Sequence, residues 1–98
     1  MPGEVFTGQA DILRRLRCAE GHLRGIAAMV EGGTDCESLA RQTLAVQAAL
    51  GEVNRLILKH HLETCLREHL RDADVSARRR CLSEIVSLYQ LLGVPRPR

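Results

Sequence analysis

Residues 34–65, TDCESLARQTLAVQAALGEVNRLILKHHLETC, decide the fold of this chain. Within this stretch the residues alternate at spacings of four and three, which is typical of an a/d seam along one side of a long helix. The seam consists of Leu39, Thr43, Val46, Leu50, Val53 and Ile57. Thr34 and Glu37 match a capping box at the start of the helix. We therefore expect one uninterrupted helix over about residues 35–70.

A shorter helix is expected on each side of this stretch. Apolar residues recur at helical spacing from Ile12 to Val30 and stop at Gly32, which predicts a first helix over about residues 8–31. A third helix is predicted over about residues 76–92, followed by Gly93. Its inward-facing residues are expected to be Leu82, Ile85, Leu88, Tyr89 and Leu92. Because no segment alternates with a period of two residues, the sequence predicts an all-α fold.

The composition indicates a single small domain, residues 1–98, that needs a partner for stability. The chain is 45% hydrophobic but only 2% aromatic, so its core is built from aliphatic side chains and is thin for one chain of this length. Assembly into a homo-oligomer is the expected supplement. The net charge of +2 is too small to identify a nucleic-acid partner. The absence of a membrane-spanning stretch and of a signal peptide predicts a cytoplasmic protein without a membrane partner.

Three residues have the side chains of a soft-metal site. His61 and Cys65 are four positions apart, so they lie one above the other on a helix and can bind a single ion. Cys36 precedes Cys65 by 29 positions on the same predicted helix, a separation of about 43 Å at 1.5 Å per residue. One chain cannot close such a site with all three residues. Two chains can, if the start of the helix in one subunit lies beside its end in the other.

The cysteines are expected to be reduced, because thiols stay reduced in the cytosol. Four cysteines in such a chain are more typical of ligands, reactive thiols or buried filler than of two disulfides. Cys18 is expected to fill the core. Cys81 is either filler or a thiol close to the metal site.

Several motifs together resemble the copper-sensitive operon repressor family over residues 7–92. They are Arg14-Arg15-Leu16-Arg17, Glu20-Gly21-His22-Leu23-Arg24-Gly25-Ile26, the helix start at Cys36, residues 42–48, and His61-Leu62-Glu63-Thr64-Cys65. The resemblance implies an all-helical bacterial repressor, an antiparallel four-helix-bundle dimer that assembles into a tetramer. It implies that the metal-free form binds operator DNA and that Cu(I) releases it. The ligands implied are His61 and Cys65 of one subunit and Cys36 of its partner.

The chemistry of the three ligands agrees with copper. Two thiolates and one imidazole form a soft, three-coordinate set that suits Cu(I), whereas zinc requires a fourth ligand. The family often places Tyr before the first Cys and Glu in the third helix, where both surround the ligands. This chain has Asp35 and Cys81 there, which makes these two residues candidates for orienting the ligands.

DNA contacts are expected from basic residues of the first two helices. The candidates are Arg14, Arg15, Arg17, Arg55 and Lys59. No helix-turn-helix or zinc finger is visible, so DNA binding rests on the resemblance and implies contacts to phosphates and to DNA shape. Glu52 occupies a position that is often Arg in the family, a departure that bears on the operator contacts.

The alternative is the same fold responding to another signal through Cys36 and Cys65. Relatives in the wider family respond to formaldehyde, to persulfides, or to nickel and cobalt. Pro2 keeps the formaldehyde alternative open, because aldehyde-sensing relatives join an N-terminal Pro to the Cys at the position of Cys36. An enzyme is not expected, since the sequence has no nucleophile–base set and no cofactor motif.

Overall fold

Three α-helices build the protein in a computed structural model that describes residues 8–68 and 74–93. They are α1 (Gln9–Glu31), α2 (Cys36–Glu68) and α3 (Val75–Leu92). Within the described ranges there is no strand, so the all-α prediction is confirmed. The helix bounds agree with the predicted ones to within one residue wherever they can be compared. The last predicted residues of α2, 69 and 70, lie outside the described residues, as does Pro2.

The helix ends follow from local side chains. Asp35, not the expected Thr34, caps α2: its carboxylate accepts hydrogen bonds from the backbone N–H of Ser38 at 3.0 Å and from the Ser38 hydroxyl at 2.8 Å. The predicted capping box was therefore wrong by one residue, because Asp35 also supplies a short side-chain acceptor at the helix start. Asp74 caps α3 by accepting from the Ser76 N–H at 2.9 Å. Gly93 ends α3 with a φ of 62°, which favours glycine.

The chain divides between Val53 and Asn54 into two compact units. The first unit contains α1 and the first half of α2. Its buried residues repeat at intervals of seven, and they are Ile12, Ala19 and Ile26 on α1 and Val46 and Val53 on α2. Such spacing is that of one side of a packed helix. The half-buried His22 on α1 and Gln42 on α2 add a hydrogen bond of 2.7 Å.

The second unit contains the rest of α2 and the whole of α3. Its buried residues are Cys65 on α2 and Ala77 and Cys81 on α3. The predicted inward position of Leu82 is wrong for the single chain, since this side chain is 52% exposed. The reason is geometric: Ala77, Cys81 and Ile85 follow one another at spacings of four, and the residue after Cys81 is turned away from that stripe.

Much apolar surface is exposed on the single chain. Twelve large hydrophobic side chains of the described residues are exposed, including Leu23, Val30 and Leu91. Leu13, Leu16, Leu23 and Leu50 line an open groove on the first unit. No described helix is long and apolar enough to cross a membrane.

Candidate metal centre

Four side chains of metal-binding types lie on α2 and α3 in the second unit. His61 and Cys65 lie one turn apart on α2, while Cys81 and Glu84 lie one turn apart on α3. Each residue of one pair lies close to a residue of the other: Cys65 contacts Cys81, and His61 lies near Glu84. Two sulfur atoms, one imidazole and one carboxylate thus lie on the facing sides of two helices.

The sulfur atoms of Cys65 and Cys81 are in direct contact. The Cα atoms of the two residues are 5.9 Å apart, and the two residues are only 2% and 4% exposed. The sequence predicted unpaired cysteines. For Cys81 it left two alternatives, a buried filler or a thiol near the metal site. The structure places Cys81 directly against Cys65, whereas the thiols of Cys18 and Cys36 are free and exposed. Cys18 therefore does not fill the core of the single chain, because its position on α1 lies off the buried stripe.

His61 presents a buried nitrogen toward α3. Its Nε2 atom is buried without a hydrogen-bond partner among the described residues, and it lies 3.6 Å from Oε2 of Glu84. That distance is longer than a hydrogen bond but short enough that a small rotation of either side chain would form one. An imidazole whose Nε2 proton points to a carboxylate has its Nδ1 lone pair available for a metal.

Cys36 is the first residue of α2, and its thiol is exposed. The neighbouring Asp35 carboxylate is engaged by Ser38, whose backbone N–H and hydroxyl, in that order, lower the pKa of Asp35 from its ordinary value. Asp35 therefore acts as a helix cap in the single chain, and its predicted role around the metal stays a prediction.

The metal ligands predicted from the sequence are held by one continuous helix. His61 and Cys65 lie together, and Cys36 lies at the other end of α2. Among the described residues, no three His, Cys, Asp or Glu side chains of a single chain form a group that could hold a metal. The set of Cys36, His61 and Cys65 stays a prediction.

The basic candidates for DNA binding differ in their surroundings. Arg14 and Arg15 both donate to the carboxylate of Asp11, at 2.5 and 3.1 Å. These hydrogen bonds, with that from Arg14 the stronger, lower the pKa of Asp11. Arg17 is exposed on α1, and Arg55 and Lys59 are exposed on α2. Their role in DNA binding is untested and stays a prediction.

Glu84 is a residue near the candidate ligands that the sequence analysis did not name. The sequence places Cys81 at the position where the family often has Glu, and this made the carboxylate appear to be lost. Glu84 follows Cys81 by three residues, so it lies on the same side of α3. The signal was therefore present in the helical spacing.

Comparison with known proteins identifies the family of this chain. A model of the metal-sensitive transcriptional repressor family matches residues 8–91. The chain belongs to this family. As a member it is a metal-sensing transcriptional repressor, and a transcriptional repressor acts on DNA. The resemblance noted in the sequence is therefore confirmed.

Several relatives are described as copper-sensing transcriptional repressors. The CsoR protein of Mycobacterium bovis is 34% identical over 98 residues, which is 100% of this chain and 82% of that protein. CsoR of Mycobacterium ulcerans is 43% identical over 65 residues, 66% of this chain and 56% of that protein. CsoR of Bacillus subtilis is 32% identical over 79 residues, 81% of this chain and 75% of that protein.

Proposed function

We propose that this protein is a Cu(I)-responsive repressor whose metal-free form binds operator DNA and whose copper-bound form releases it. The observation that carries the proposal is the pairing of His61 with Cys65 on α2, with a buried imidazole nitrogen facing Glu84. Copper is named because relatives of this chain over most of its length are copper-sensing repressors. The whole chain, residues 1–98, acts as one cytoplasmic domain with no enzymatic activity.

The donor set fits copper. Reduced Cys65, His61 and the Cys36 of a partner subunit supply two thiolates and one imidazole, the soft ligands that Cu(I) prefers. Copper, when bound, would link these side chains to one another. Glu84 holds the Nε2 proton of His61, which directs Nδ1 toward the ligand position. Cys65 must be a thiol for this purpose, since a disulfide sulfur is not available as a thiolate ligand.

Assembly completes the site. Because one helix carries Cys36 at its start and Cys65 near its end, the two thiolates that share an ion come from different chains. The apolar groove of the first unit and the other exposed side chains give such an assembly its contact surface. We infer an antiparallel four-helix dimer, two of which form a tetramer.

Copper binding is coupled to DNA release through α2. Cys36 of one subunit and Cys65 of another would hold the ion, and this link would fix the start of one α2 helix beside the end of its partner's, which would disfavour the arrangement that fits DNA. A coupling free energy on the order of 1–3 kcal/mol is expected for such a link. The DNA surface consists of Arg14, Arg15, Arg17, Arg55 and Lys59, and these contacts are made mainly to phosphates.

The test is an anaerobic Cu(I) titration of the reduced protein, followed by its binding to DNA from upstream of its own gene. Copper should lower operator affinity, at one ion per chain. If saturating Cu(I) leaves the affinity unchanged, the copper proposal is refuted, and an aldehyde or sulfur signal acting at Cys36 takes its place.

The sharing of the site has its own test. Cys36→Ala and Cys65→Ala should each abolish tight Cu(I) binding, and a mixture of the two variants should recover it. A mixed dimer contains one intact site and one site without either cysteine. Cys18→Ser is the matched control, since this exposed thiol lies outside the ligand set. If mixing restores no binding, the ligands do not come from two chains.

A further inference from the structure

The two buried cysteines of the second unit form a pair for which copper binding alone gives no reason. Cys65 and Cys81 are separated by 16 positions in the sequence, and their Cα atoms are 5.9 Å apart. This separation is near the most frequent value for disulfides. The other two cysteines are exposed and unpaired in the single chain. The fold of one chain therefore selects these two thiols for each other.

We propose that Cys65 and Cys81 are a reversible dithiol–disulfide pair, oxidised by hydrogen peroxide, and that the disulfide form cannot bind Cu(I). The loss of copper binding rests on the proposed function, because it requires Cys65 to be a copper ligand. The dithiol–disulfide reaction itself rests on the contact between the two sulfur atoms. The protein then combines two signals at a single sulfur atom, since Cys65 binds either copper or Cys81.

The oxidation is a balanced two-electron reaction. The thiolate of one cysteine attacks the O–O bond of hydrogen peroxide, which gives a sulfenic acid and hydroxide, and the hydroxide takes up a proton to become water. The second thiol then attacks the sulfenic sulfur, an S–S bond forms, and the sulfenic oxygen leaves as a second water molecule. The two sulfur atoms together lose two electrons, and the peroxide gains them. A small dithiol reverses the reaction by exchange and is itself oxidised to a disulfide.

Burial of the two cysteines admits only small oxidants and favours reaction of the two sulfur atoms with each other. At 2% and 4% exposure, neither sulfur is open to a bulky oxidant, whereas hydrogen peroxide is hardly larger than water. Once one sulfur is oxidised, the other is already in contact with it, and an intramolecular partner held in place acts at a high effective concentration. Closure of the disulfide is therefore expected to precede further oxidation of the sulfenic acid.

Copper and oxidation are reciprocally linked. A copper ion on the Cys65 thiolate removes the nucleophile that the disulfide requires, so the copper-bound protein should resist oxidation. Conversely, the disulfide removes one thiolate from the copper site. Linkage of this kind must act in both directions, because the same thiolate is consumed by each reaction. An oxidised repressor is then expected to remain on its operator when copper rises.

The experiment uses the full-length protein, reduced and metal-free, treated with hydrogen peroxide under anaerobic conditions and then freed of peroxide. Trypsin cleaves after Lys and Arg except before Pro, and so separates the four cysteines into four peptides, residues 18–24, 25–41, 60–67 and 81–98. Mass spectrometry without reductant should find peptides 60–67 and 81–98 joined, two hydrogen atoms lighter than their sum. The treated protein should lose tight Cu(I) binding, and dithiothreitol should restore it.

Two variants and a copper-loaded sample complete the design, and each is compared with its own reduced form. Peroxide should abolish the Cu(I) binding of Cys18→Ser, as in the wild type, but should spare most of that of Cys81→Ser. Copper-loaded wild-type protein should form the linked peptides more slowly than metal-free protein.

Two outcomes would overturn the inference. One is free thiols at both positions after treatment, and the other is a link between peptides 25–41 and 60–67 in place of the predicted one. Failure of the reduced wild type to bind Cu(I) would refute the proposed function and, with it, the effect of the disulfide on copper binding. The mass of the linked peptides would still decide whether Cys65 and Cys81 form a disulfide.

Discussion

Replacement of Glu84 tests whether the contact between α2 and α3 supports copper binding. Loss of a residue that orients a metal-binding histidine typically lowers metal affinity or activity about 10- to 100-fold. The lower end applies here, because the Nε2–Oε2 distance is 3.6 Å and the Glu84 side chain is 65% exposed, so water weakens the contact. Glu84→Ala should therefore weaken Cu(I) binding about tenfold, equivalent to about 1.4 kcal/mol.

The assay is competition for Cu(I) between the reduced protein and a coloured chelator, without oxygen. Glu84→Gln should lose less affinity than Glu84→Ala, since the amide oxygen can still accept the imidazole proton. Glu63→Ala is the matched control. It removes a carboxylate two positions after His61, and residues at that spacing do not face each other on a helix.

Either of two results would refute an orienting role for Glu84. If Glu84→Ala binds Cu(I) as tightly as the wild type, the carboxylate does not orient His61. If Glu63→Ala weakens binding equally, the effect is one of overall charge.

Three further predictions concern DNA, pH and assembly. Replacing Arg15 or Arg55 with Ala should weaken operator binding and reduce the salt slope by about 0.9 for each lost phosphate contact, measured by fluorescence anisotropy at several salt concentrations; unchanged slopes would place the DNA surface elsewhere. The lowered pKa of Asp35 means that its stabilising contribution is present above the ordinary value of 3.8 and is lost as pH falls through the folded-state pKa. Melting temperatures should thus fall less on acidification for Asp35→Asn, which keeps a capping oxygen but does not titrate, and parallel curves would contradict this role. Ile26→Ala should lower the free energy of unfolding by about 2–5 kcal/mol, because Ile26 is buried within one chain. Leu23→Ala, at an exposed position in the groove, should instead lower the oligomeric state in sedimentation at low concentration, and equal effects of the two variants would argue against an interface there.

The helices and one half of the candidate site could be predicted from the sequence. The spacing of four and three along residues 39–57 predicted a single long helix, and its continuation placed His61 and Cys65 on one side of it. These are local relations, because a residue's neighbours at three and four positions follow from the geometry of the helix alone. The N-cap of α2 is Asp35 and not the predicted Thr34. The sequence did not decide between them, because two adjacent residues both have suitable side-chain oxygens.

The sequence by itself determined that the described residues are helical, where α1 and α3 lie to within one residue, and which candidate ligands of α2 lie one turn apart. Only the tertiary structure decided that Cys81 meets Cys65, that Glu84 faces His61, and that Leu82 is exposed. Those contacts depend on how α3 is rotated about its own axis against α2, and this rotation is set by the packing of both helices together. Successive residues of a helix point in directions about 100° apart around its axis, which is why Cys81 is buried and Leu82, the next residue, is exposed. For this reason the partner of Cys65 could be identified only once the two helices were seen side by side.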